Sequence, residues 1–152
     1  MATWDDITAA VGLSLNGNRD RDRPALKECW DQTVESDHAQ RCVIAHYLAD
    51  LEPDLDAEVA WDEQALANHA HVADTDLAAV GIAHARGMAP SLHLNLGDGY
   101  LRQGRLEDAR TQLEQGLAHQ DALGDDGYGA LIRKGLQGLS ARLDAASKAA
   151  NG

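Results

Sequence analysis

Apolar side chains recur along this chain at three- and four-residue steps, and never alternate with polar ones over the length of a strand. Ile7, Val11 and Leu15 stand at i, i+4 and i+8. They predict a first helix over about 3–14, with Thr3 as N-cap and Asp5 and Asp6 in its first turn. The polar run 15–24 reads as a loop, and Pro24 sits near the first turn of a second helix that carries Leu26, Cys29, Trp30 and Val34. A third helix runs from Ser36 or Asp37 to about Leu51 on the stripe Ile44, Tyr47, Leu48 and Leu51. The run at 52–56 breaks it, and a fourth helix at about 56–71 buries Val59, Trp61, Ala65 and Leu66. Residues 72–90 fit either a short helix near 76–85 or a long connection. Beyond them the period sharpens again. Helices are expected at about 91–103 (Leu92, Leu96, Tyr100) and about 106–122 (Leu106, Ala109, Leu113, Gly116, Leu117). The two- or three-residue break between them forces an antiparallel hairpin. A last helix at about 127–146 carries Leu131, Ile132, Leu136, Leu139 and Leu143, and the tail after it reads as frayed.

Composition agrees with an all-α reading. The chain lacks Phe, is sparse in Val and Ile, and is rich in good helix formers. Its 152 residues suit one domain over 1–152 with an ordinary core. No apolar run approaches the roughly 18 residues of a membrane span. The start, MATWDDITAA, carries acids where a secretory leader would carry positive charge, so a cytoplasmic location is expected. The formal net charge of −12 repels nucleic acid and anionic membranes, and suits either solubility or a basic partner. Cys29 and Cys42 form no disulfide framework. They read as buried thiols in a reducing compartment, with a redox pair left open should their helices approach.

The stretch LGDGYLRQGRLEDA (96–109) poses the main functional question. Three glycines around an aspartate suggest a phosphate loop, but such a loop follows a strand and opens a helix. Here Leu92, Leu96 and Tyr100 carry a helical stripe straight through the glycines. Gly97 inside a helix costs about 1 kcal/mol relative to Ala, which is tolerated where a neighbouring helix needs the space. Gly104 marks the hairpin turn, while Gly99 has no evident role.

Leu96, Gly97, Tyr100, Gly104, Ala109, Leu113 and Gly116 together resemble one tetratricopeptide repeat across residues 90–123. His93 stands where that motif favours Trp, and Asp121 where it favours Pro. Sliding this unit back by 52 positions sets Ala45 against Gly97 and Leu48 against Tyr100, which suggests a degenerate repeat at about 37–71. The whole chain is similar to small bacterial tetratricopeptide-like proteins. The resemblance implies antiparallel hairpins stacked as a short right-handed solenoid, with the helix at about 127–146 as a cap. It also implies a non-catalytic module that binds a peptide or protein segment on its concave wall, and no reaction. The wall positions carried over are Leu94, Asp98, Leu101 and Arg102 on the clear repeat, then Cys42, His46, Ala49 and Asp50 on the degenerate one. Arg133 of the closing helix is placed beside the Asp98 row. The repeated Lys and Asn that clamp a C-terminal carboxylate in such domains are missing. A groove filled by a second copy, as a homodimer, or by the C-terminal tail stays open.

Other chemistry is thinner. His38, Cys42, His46 and Asp50 recur at i+4, a spacing that can present metal ligands, though the row drifts about 40° per step. A metal or small-molecule sensor built on Cys42 and His46 is therefore the alternative function, set against a core thiol and a hydrogen-bonded imidazole. His69, His71, His84 and His93 flank the uncertain segment, as converging ligands or as surface and capping imidazoles. There is no HExxH and no CxxC, and Ser36, Ser91 and Ser140 lack partner motifs. No cofactor, bound metal or enzymatic activity is expected.

Overall fold

A computed structural model describes residues 2–15 and 19–151. Among these the regular structure is helical throughout. It comprises α1 (Trp4–Leu15), α2 (Arg19–Asp31), α3 (His38–Leu51), α4 (Leu55–His69), α5 (Ala89–Arg102), α6 (Leu106–Ala118) and α7 (Gly127–Asn151). Among the described residues no helix is long and apolar enough to cross a membrane. The chain divides into two compact units, residues 1–85 and 86–152.

In the first unit, α1 opens with a reciprocal cap. The Asp6 amide donates to Thr3 Oγ1 at 3.1 Å, and the Thr3 amide donates to Asp6 Oδ2 at 3.2 Å. The Thr3 amide, and after it the Thr3 side chain, holds the Asp6 carboxyl below the usual carboxylate range. α2 starts earlier than the sequence suggests. Residues 19–23, expected as loop, are helical, and Pro24 lies inside the helix rather than in its first turn. As sixth residue it cannot donate to the carbonyl of residue 20 and its ring crowds that carbonyl, so the disturbance falls on the first turn alone. Residues 16–18 of the expected loop lie outside the described part. Val34 falls beyond the end of α2 and is exposed.

α3 and α4 form a tight hairpin across residues 52–54, with Asp54 Oδ2 accepting the Ala57 amide at 3.0 Å as N-cap. Ile44, Leu48, Val59 and Ala65 meet Ile7 and Leu26 in a sealed core. Segment 70–88 is a connection with two short 3-10 turns, at 78–80 and 85–88, not a helix over 76–85. Leu77 anchors it, fully buried. The His69 ring N–H donates to the Ala85 carbonyl at 2.8 Å, and the Ala85 amide donates to the Asp74 carbonyl at 2.9 Å.

In the second unit, α5 and α6 make the second hairpin. Gly104 takes the left-handed backbone (φ 78°) that the three-residue break needs. α7 packs on both helices with Leu136, Leu139 and Leu143 fully buried. A Cβ on Gly97 would stand 2.9 Å from Leu139 Cδ2, and one on Gly116 2.8 Å from Leu136 Cδ2. The two helical glycines thus clear space for leucines of the closing helix, as much as for each other's hairpin partner. Leu131, expected on the buried stripe, is 65% exposed, whereas Ile132 is buried. The tail is helical through Asn151 rather than frayed, and Arg110 of α6 reaches Ser147 Oγ at 3.2 Å.

Equivalent elements of the two hairpins begin 51 residues apart, at 38 and 89 and at 55 and 106. Buried Ile44, Ala45 and Leu48 fall 52 positions before buried Leu96, Gly97 and Tyr100, whereas Cys42, Val43, Ala49 and Leu51 have no buried counterpart at that spacing.

Candidate functional site

Leu94, Asp98 and Leu101 stand at i, i+4 and i+7 of α5, so one helical face presents them together, each half-buried. The Asp98 carboxylate holds two guanidiniums. Arg102 Nε donates to Oδ2 at 3.0 Å within α5, and Arg142 Nη1 donates to Oδ1 at 2.6 Å from α7. All three side chains remain 30–52% accessible, so solvent screens the pairs. Leu94 leans over α7, where its Cδ2 would lie 2.6 Å from a Cβ on Gly135. The absent side chain of Gly135 lets α7 close on this face.

Arg133, expected beside Asp98, does something else. Its Nη1 and Nη2 donate to the carbonyls of Gly124 at 3.0 Å and Leu123 at 3.1 Å, tying down the turn before α7. The guanidinium that α7 brings to Asp98 is Arg142, 44 residues on. A repeat-length shift of 35 undershoots because residues 119–126 lengthen the connection. No local pattern marks Arg142, because its approach to Asp98 depends on how α7 lies against α5.

Of the α3 positions in the first unit, Cys42 is fully buried and faces the core, and Ala49 is buried as well. Burial pushes the Cys42 thiol up to about 12, so thiolate chemistry or metal ligation there carries a large cost at neutral pH. Burial likewise raises the Cys29 thiol, with Asp6 and Glu28 adding to it. His46 is partly exposed as a residue, yet its Nδ1 is sealed from solvent without a hydrogen-bond partner. That burial lowers its pKa, opposed by the charge of Asp50, and its ring meets Tyr47 edge-on with centroids 5.3 Å apart. Asp50 is exposed one turn further along. Among the described residues, no group of three or more His, Cys, Asp or Glu side chains is placed to hold a metal ion.

The remaining histidines pin hairpins and loops. The His38 ring N–H donates to Asn68 Oδ1 at 2.9 Å and its ring stacks on His71, centroids 4.5 Å apart, which closes the open end of α3–α4. In the second hairpin the His93 ring N–H donates to Gln112 Oε1 at 2.7 Å and stacks with His119 at 5.6 Å. His84 donates to Asp74 Oδ2 at 2.8 Å inside the 70–88 connection. Neither stacked pair was legible in the sequence, because each joins residues more than 25 positions apart through a hairpin register.

Comparison with known protein families, with curated proteins and with solved structures finds no match.

Proposed function

We propose that this chain is a non-catalytic recognition module of tetratricopeptide-like architecture, a short helical-hairpin solenoid that works in the cytoplasm and binds a peptide or protein segment. The supporting observation is the α5 face, where two half-buried leucines bracket an aspartate held by two accessible arginines. Exposed ion pairs of this kind are worth about 0.2–1 kcal/mol each. A ligand can therefore exchange its own charged groups for either pair at small cost, while Leu94 and Leu101 supply apolar contact. Asp98 would take a cationic or amide donor, and Arg142 and Arg102 would take carboxylate or carbonyl oxygens. The partner is a polypeptide, and neither nucleic acid, membrane nor cofactor takes part.

A photo-crosslinking residue placed at Leu101 tests this against one at Glu114, an exposed position on α6. In cell extract, the Leu101 probe is expected to give discrete protein adducts that the Glu114 probe does not. Equal adduct patterns from the two positions would remove the α5 face as the site.

A further inference from the structure

The first unit contains a separate cavity of about 210 Å³ between α1, α3 and the turn at 78–80. Ile7, Val43, Val11, Tyr47, Val80 and Ile82 line it. Ile7 and Val43 are buried and make a fixed floor, while the other four are half-exposed and form the mouth. A dry apolar cavity of roughly 150 Å³ already accepts benzene, so this one has room for a large side chain. It shares no residue with the α5 face.

Charge says what kind of chain would bring that side chain. Residues 1–85 hold five Lys and Arg against seventeen Asp and Glu, whereas residues 86–152 hold eight of each. The whole net charge of −12 thus belongs to the unit with the cavity. The imbalance sharpens around the cavity itself, since neither residues 1–18 nor residues 42–85 contain a single Lys or Arg. The cations of this unit are confined to α2 and to Arg41 near the start of α3, where Arg41 is held by Thr33 and Trp30 and Arg23 by Glu52. Asp5 lies one turn before Thr8, a further lining residue on α1, Asp50 one turn beyond Tyr47 on α3, and Asp76, whose Oδ2 accepts the Ala73 amide at 2.8 Å, just ahead of the 78–80 turn. An anionic amphiphile would meet the net negative charge of this unit. A cationic segment would be steered towards it.

We propose that this cavity docks one bulky apolar side chain of a lysine- or arginine-rich partner segment, whose charges lie against the carboxylates around the mouth. The burial of the anchor supplies affinity, and the acidic surround selects the partner and speeds encounter. The site goes beyond the α5 face and does not require it.

Three labelled peptides test the proposal on the full chain by fluorescence anisotropy: lysine-rich with one central tryptophan, lysine-rich with alanine in that place, and glutamate-rich with tryptophan. The lysine–tryptophan peptide is expected to bind about tenfold or more tighter than either other peptide, and more weakly as salt rises. Filling the cavity by Val11→Phe, or by Val80→Phe in the connection should the first lose helical content, is expected to erase the advantage of tryptophan over alanine. Asp98→Ala with Arg142→Ala is expected to leave it intact. Equal binding of the two lysine-rich peptides would overturn the pocket, as would a tryptophan advantage that survives cavity filling in a folded variant. Equal binding of the lysine and glutamate peptides would overturn the choice of a cationic partner.

Discussion

Single residues in this chain are decided by the company their polar atoms keep. Asp98 and His46 both sit on helices at positions the sequence marks as interesting, yet one has two accessible partners and the other has a sealed Nδ1 with none. His46 therefore carries a pH signature. Above its ordinary value of 6.5 it is neutral in both folded and unfolded chains. Below that value and above its lowered folded one, the unfolded chain binds a proton that the folded chain refuses, so stability falls as pH drops through this window. Urea denaturation at pH 7.5 and pH 5.5 checks this. His46→Leu is expected to lose less stability across that interval than the unaltered chain, and an equal loss would mean that His46 does not titrate as its burial requires.

At the scale of elements, the apolar period exposes the helices but not all their ends. The run RDRDR at 19–23 has no apolar residue to mark a stripe, so its helicity comes from continuity with Leu26, which the core buries completely. The last turns of α7 are similar, since Ala and Lys favour helix without advertising a face. The close approach of α7 to α5 and α6 was half-legible. Gly97 and Gly116 announce that something must come near, whereas the identity of the visitors, Leu139 and Leu136, follows only from the length of the connection before α7. Two glycines of α7 separate packing from propensity. A Cβ on Gly129 would overlap the Gly124 carbonyl oxygen, and the Gly129 amide already donates to Asp126 Oδ1 at 2.8 Å. Gly129→Ala is expected to cost about 1–3 kcal/mol by forcing the 123–126 turn aside. Gly138 meets nothing within 4 Å in the same helix, so Gly138→Ala is expected to stabilise by about 0.5–1 kcal/mol. Thermal midpoints shifting in opposite directions confirm both, and a neutral Gly129→Ala would show that the turn yields freely.

On the scale of the whole molecule, charge and architecture divide the chain differently from the hairpin pattern. The two hairpins share break length, yet one lies in a strongly acidic unit and the other in a neutral one. The fold class was legible because helical periodicity is local, needing only neighbours a turn apart. The candidate site was legible on α5 alone. Leu94, Asp98, Leu101 and Arg102 follow from position in one helix, whereas Arg142 and the cavity beneath Val80 depend on how distant segments meet. Recognition at the Asp98 face is read most plainly from affinity. The protein crosslinked from Leu101 is purified and titrated against the unaltered chain and against Asp98→Ala with Arg142→Ala, both checked for equal helical content. The double variant is expected to lose about tenfold or more in affinity. Unchanged affinity would contradict recognition at that face.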